Sequence, residues 1–392
     1  MSMAARTPVI GEPRSRADLH NTEERMISWP DHRLLDLIEI ELPIILAPMA
    51  GPGTAALAIA VAEAGGLGSL GCALLSPDQA RAEFAAIRRG TSKPVNMNFF
   101  CHAVPPIDAA AREAAWRQLL RPYFVELGLD PEMRVPASSI PSFSSVHCDL
   151  VAELKPEIVS FHFGLPSEDL LSRVKATGAK VLSSATTVKE AVWLQQRGCD
   201  AIIAQGVEAG GHRGMFLSDT VATQVGTIAL VPQLVDAVNV PVIAAGGIAD
   251  GRGIAAAFAL GASGVQMGTA YLFCPEANVA PLYRHALKNA RDDQTAITNI
   301  FTGRAARAMV NRITEELGPV SEHAPAFPTA GAALAPLRAK AEAAGSDDFS
   351  SLWSGQAARL GRELPARQLT VLLAEEALAV RRRYSTENAG RQ

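Results

Sequence analysis

Residues 200–214 read Asp-Ala-Ile-Ile-Ala-Gln-Gly-Val-Glu-Ala-Gly-Gly-His-Arg-Gly. Asp200 to Ala204 is a short, Ile-rich run with no polar alternation, the pattern of a strand covered on both faces. From Gly206 onward the chain is too glycine-rich for a helix or a strand. A buried strand that empties into a glycine loop with one histidine, His212, puts a candidate site at the carboxyl end of a parallel sheet. Glu208 and Arg213, in the same loop, read as solvated. A plain turn carrying a surface histidine would look the same locally, so the rest of the chain decides.

The same unit recurs on both sides of this stretch. Short apolar runs at 43–48, 67–71, 94–99, 157–163, 180–184, 241–245 and 264–267 accompany the one at 200–204. Helical segments at 55–64, 77–89, 144–154, 167–177, 187–197, 230–238 and 251–260 lie between them. Ser76 and Pro77 have the form of an N-cap followed by Pro at the first helical position. Eight strands alternating with helices, at about 25 to 30 residues per unit, predict an α/β fold of the TIM (β/α)8 barrel class. A doubly wound open sheet fits less well, because no GxGxxG follows the first strand.

Residues 1–31 are expected to be a polar N-terminal extension and 32–275 the barrel. Residues 101–143 interrupt the third unit with a helix over 109–128, open to a break at Pro122, and a Pro/Ser-rich connector. Residues 276–392 carry apolar positions at helical spacing, among them Leu369, Leu372 and Leu373. They are expected to form a helical C-terminal region over the barrel mouth, so that barrel and cover make a TIM barrel with a mostly helical second domain.

Composition narrows the function. Hydrophobic content of 48% with 19% charged residues fits a globular enzyme with a large core. A net charge of -4 and 5% aromatics point away from nucleic acid and from anionic membranes. No run of apolar residues is long enough to span a bilayer, and none near the start resembles a signal peptide. The cysteines, Cys72, Cys101, Cys148, Cys199 and Cys274, are scattered with no CxxC pair, so free thiols in the cytoplasm are expected and no metal site is read.

In such a barrel the chemistry sits at the strand ends. Those positions are Pro48 and Met49, Asn98, His162, Ser183, Ser184 and Thr186, Gln205 with His212, Gly246 and Gly247, and Gln266 to Thr269. The last two stretches put glycines where a strand meets the next helix, so backbone N–H groups can approach an anion. This predicts a phosphate site. Asn98 and Gln205 offer amides suited to a uracil-like edge, although each can equally cap backbone. A phosphate site beside such amides makes flavin mononucleotide a natural occupant. His212 can act as a substrate anchor or a general base, and His162 is the second candidate. Cys101 and His102 make a conceivable dyad with no visible third partner.

Gln205 to Gly214, Pro241 to Gly253, Gly264 to Thr269 and Phe301 to Asn311 resemble the nitronate monooxygenases, formerly called 2-nitropropane dioxygenases, in their bacterial, class I-like branch. The Pro43 to Gly51 strand and Asn98 fit as well, and the resemblance covers roughly residues 40 to 375. It implies a TIM barrel that binds FMN non-covalently and oxidises alkyl nitronates, or nitroalkanes, with dioxygen to carbonyl compounds and nitrite. It implies His212 and His162 as active-site histidines. Pro48, Met49, Asn98, Gln205, Gly210, Gly211, Gly246, Gly247, Gln266, Met267, Gly268 and Thr269 are the residues set against the flavin. Phe327 stands where members often carry Tyr. The competing reading is an NAD(P)H-dependent quinone or enoyl-thioester reductase on the same barrel. Neither reading fixes whether the protein is a monomer or a homodimer.

Overall fold

The computed structural model describes residues 29–103, 109–136 and 140–389. The expected N-terminal extension lies almost wholly outside them, as does part of the 136–143 connector. Eleven strands are present among the described residues. They are β1 (Ile44–Leu46), β2 (Gly68–Gly71), β3 (Val95–Phe100), β4 (Ile158–His162), β5 (Lys180–Ala185) and β6 (Ala201–Gln205). After them come β7 (Gly211–His212), β8 (Val242–Ala245), β9 (Gly264–Met267), β10 (Thr295–Thr298) and β11 (Ala306–Met309).

Eight strands form one parallel sheet in the order β1-β9-β8-β6-β5-β4-β3-β2. The sheet curls back on itself where Ile45 bridges Leu67. There Leu46 N–H donates to Leu67 O at 2.9 Å and Leu67 N–H to Ile44 O at 3.0 Å. The result is the TIM barrel expected from the strand count. Its strands are almost entirely buried, as in the wholly buried β6, because side chains fill the interior and helices cover the outside.

The helices start where the sequence places caps. Ser76 and Gln79 form a reciprocal capping box with Pro77 at the first position of the Pro77–Gly90 helix. Thr54, Thr187 and Asp250 accept backbone N–H groups at three other starts.

Three features add to or differ from the expectation. Helix Ala109–Glu126 runs straight through Pro122. A proline inside a helix costs about 3 kcal/mol. Burial offsets it, since Trp116, Leu120 and Phe124 share a core with Leu334, Leu337 and Phe349 of the C-terminal region. The chain beyond residue 275 also contains β10 and β11, and β11 pairs antiparallel with β7 in a three-stranded sheet. The stretch read as loop after β6 therefore holds a two-residue strand, because its glycines permit the pairing and a distant partner supplies it. The Ala366–Ala389 helix does not lie over the mouth. Its Leu369, Leu373 and Ala377 join the barrel core on the flank, and its Glu376 accepts from Gly251 N–H at 3.2 Å.

The barrel wall is packed closely enough to test. A Cβ on Gly68 would lie 2.2 Å from Ala58 O in the backbone of the adjoining helix. Gly68→Ala is expected to cost about 3 kcal/mol by overpacking, read as a lowered urea midpoint with unchanged slope.

Candidate active site

At the carboxyl ends of the barrel strands lies a cavity of about 360 Å3, within the ~300 to 1,000 Å3 range of small-molecule sites. Every strand-end residue named above as a flavin or catalytic candidate lines it. Pro48 and Met49 follow β1; Asn98, His162 and Gln205 come from β3, β4 and β6; Gly210, Gly211 and His212 come from the loop; Gly246 and Gly247 follow β8; Gln266 to Thr269 close β9. Of the other strand-end residues, Ser184 reaches the cavity. Ser183 instead caps Phe161 O and Gly164 O, and Thr186 is bound to Glu190.

Several side chains expected to face a ligand are occupied in holding the loop. Gln205 Nε2 donates to His212 O at 3.0 Å, and its Oε1 accepts from Gly214 N–H at 2.7 Å. His162 Nε2 donates to the same His212 O at 3.0 Å, leaving Nδ1 to accept from the Ser184 hydroxyl at 3.1 Å. Asn98 Nδ2 donates to Ser160 O and Oγ. The capping alternative thus applies to both amides, and His162 acts on the backbone of His212.

Arg213 and Glu208 are not solvated. Arg213 is fully buried, and its guanidinium donates to Gly206 O and Gln205 O, each at 2.7 Å, and to Gln224 Oε1 at 3.0 Å. Carbonyl oxygens at the end of β6 have no ladder partner beyond the strand, so they accept a buried cation well. Burial pulls the guanidinium down to about 10. Glu208 is partly buried and accepts from the Thr227 N–H and hydroxyl. A further buried carboxylate, Glu190, accepts from Thr186 N–H and hydroxyl and from Phe216 and Leu217 N–H. Local sequence does not show its wider role, since two of the four groups it binds are backbone N–H groups 26 and 27 residues downstream.

His212 is held by tertiary contacts. Its backbone pairs with Ala306 of β11, its Nε2 lies 3.0 Å from Thr302 Oγ1, and its ring packs on Trp353 and Phe327 at 5.3 and 5.4 Å. Burial, with the charges of His162 and Arg304, pushes it down to about 3, and burial pushes His162 to about 4. Both rings are neutral at physiological pH.

The far side of the cavity comes from chain that the strand pattern could not indicate. Thr302, Ser351, Trp353, Gly355 and Tyr283 line it, and Gly355 N–H donates to Thr269 Oγ1 at 2.9 Å. Thr302 lies inside the Phe301 to Asn311 stretch but carries no local signal of its own.

The glycine turns suit an anion with one change. Gly246 and Gly247 both have positive φ, +107° and +72°, which a side chain would resist. The N-terminus of the Gly251–Ala259 helix is already capped, its Arg252 and Gly253 N–H groups bound by Asp250. An anion here would be received by the turn itself. Gln266 Oε1 is buried without a hydrogen-bond partner, an acceptor awaiting a donor from a bound group.

A sequence profile of the nitronate monooxygenase family matches residues 31–376. The chain belongs to that family. It is 44% identical over 346 residues to the nitronate monooxygenase of Pseudomonas aeruginosa, covering 88% of this chain and 98% of that protein. It is 45% identical over 350 residues to that of Paraburkholderia phytofirmans, covering 88% and 94%. The crystal structure of nitroalkane oxidase from Streptomyces ansochromogenes superposes with a TM-score of 0.81 at 37% identity, over 90% of this chain and 99% of that one. As a nitronate monooxygenase family member the chain is a flavin-dependent oxidoreductase acting on a small molecule. Among the described residues no helix is long and apolar enough to cross a membrane, and no cluster of metal-ligating side chains is present.

Two outcomes follow for this member of the family. Glu190→Ala strips four donors of their acceptor, so a loss of about 3 kcal/mol or more is expected in urea unfolding. The depressed histidines set a pH dependence. Unfolded, each titrates near the ordinary 6.5; folded, His162 and His212 titrate near 4 and 3. The unfolded chain then binds more protons below pH 6.5, so stability is full above that value and lost as pH falls towards 4 and 3. His162→Gln is expected to flatten the slope of the urea midpoint between pH 6.5 and 4.

Proposed function

We propose that the protein binds FMN non-covalently in the 360 Å3 cavity and oxidises alkyl nitronates with dioxygen to carbonyl compounds and nitrite. The observation that carries this reading is a neutral, half-buried His212 at the rim of a cavity that also holds a positive-φ glycine turn and the unpartnered Gln266 acceptor. Gly246, Gly247 and Gly268 would receive the phosphate, and Gln266, with Pro48, Met49 and the Gly210–Gly211 backbone, would border the ring. When bound, FMN supplies the electron acceptor for the substrate carbon. The protein supplies placement, exclusion of water and a proton-handling group.

A nitronate is already an anion, so oxidation requires no initial deprotonation. His212 Nε2 is engaged by Thr302, which leaves Nδ1 for the substrate. The Thr302 hydroxyl can accept Nε2–H or donate to Nε2. In the second arrangement Nδ1–H anchors a nitronate oxygen. In the first, Nδ1 is a free base that can take the α-proton of a neutral nitroalkane. Phe327 beside His212 contributes no hydroxyl, so proton handling falls to His212 and Thr302. His162 supports the site by holding the His212 carbonyl. The C-terminal region covers the mouth through Trp353 and Gly355, and the Ala109–Glu126 helix packs against that region. The unpaired cysteines support a reducing compartment, the cytoplasm.

His212→Ala is expected to lower kcat/KM for a small nitronate by about 10-fold through the lost hydrogen bond. The same change should lower turnover of the neutral nitroalkane by about 100-fold or more through the lost base. Oxygen consumption with a nitronate panel measures both. NADH with a quinone is the control, and rapid anaerobic bleaching of the flavin by NADH would replace this reading with that of a reductase.

A further inference from the structure

Behind His212 lies a second cavity, of about 440 Å3. Phe327 forms part of its wall and is in ring contact with His212 on one side, at 5.4 Å, and with His102 on the other, at 4.8 Å. The two cavities are thus separated by little more than one aromatic layer, to which Phe163 also belongs.

The second cavity is lined by Arg304. Its guanidinium sits over the Phe163 ring at 3.9 Å and donates to Met215 O. Its Nε is buried with no hydrogen-bond partner, and Asp219 and Glu190 act on it only through space, with no carboxylate in ion-pair contact among the described residues. His102 Nδ1, in the same lining, is also buried and unpartnered. Asp219 and Glu322 line the rim, where both are exposed, and Arg112 binds the Glu322 carbonyl. Exposed carboxylates are screened by water and salt, whereas a cation held on an aromatic ring at the back of a cavity is not. A buried arginine N–H without an acceptor is costly in an apo site and is satisfied by an incoming oxyanion.

We propose that this cavity is an antechamber for a small oxyanion: Arg304 holds the nitronate before it passes the Phe327 partition to His212. That the anion is a nitronate rests on the function proposed above; that an anion binds at Arg304 does not.

The test is calorimetric titration of the flavin-loaded full-length protein with nitrite, used as a small oxyanion probe. Wild type is expected to bind nitrite, Arg304→Gln at least about tenfold more weakly, and Arg304→Lys, which keeps the charge, within about threefold of wild type. Unchanged circular dichroism and flavin absorbance establish that the variants are folded and loaded. Equal nitrite affinity in wild type and Arg304→Gln overturns the site. In oxygen-consumption assays Arg304→Gln should raise KM for the nitronate at least about fivefold more than KM for the neutral nitroalkane. An equal rise for both substrates overturns the antechamber role. Loss of nitronate turnover in wild type with nitrite binding intact would remove the proposed function while leaving the anion site standing.

Discussion

The pairing of Gly211 and His212 with Ala306 and Arg307 is the contact on which the site depends. It is only two residues long, yet it ties a barrel loop to a sheet built almost a hundred residues later in the chain. Its surroundings keep it in place. Arg213 N–H donates to Ala305 O, its guanidinium closes on the end of β6, and the His212 carbonyl receives Gln205 and His162 together. A glycine-rich loop would otherwise sample many conformations. Here the ordering cost is met by hydrogen bonds that the buried end of a strand must make in any case.

The same enclosure sets the electrostatics. His162 and His212 are neutral because they are largely withdrawn from water and near arginines, and Arg213 makes no ion pair because Gly206 O, Gln205 O and Gln224 Oε1 satisfy its guanidinium. The region around β7 is rich in buried donors, and its carboxylates, Glu190 and Glu208, are taken up by N–H and hydroxyl groups. Such a site disfavours protonated histidine, in keeping with the proposed reaction, whose substrate arrives already deprotonated.

Much of the barrel was legible because each strand is a short apolar run and four of its helices announce their start with Thr54, Ser76-Pro77, Thr187 or Asp250. The gathering of Pro48, Asn98, His162, His212, Gly246 and Gln266 around one cavity follows from the rule that strand ends face the mouth. The individual roles were less legible. Gln205 reads as a ligand amide and serves as a backbone clasp; Arg213 reads as surface and is fully buried. In both cases most partners are backbone atoms, which leave no mark in the pattern of side chains. Pro122 reads as a possible break, yet the helix continues because Trp116 and Phe124 have a core to enter.

By itself, then, the sequence determined the barrel, its strand ends, the glycine turns and the one loop histidine, since these follow from periodicity and from what glycine alone permits. Only the tertiary structure decided that His212 sits in a strand, that Thr302, Trp353 and Gly355 complete its cavity, and that Arg304 borders a second one. Those relations join positions 86 or more residues apart. Their energies come from burial and from unpaired donors finding acceptors, which no local window of sequence contains.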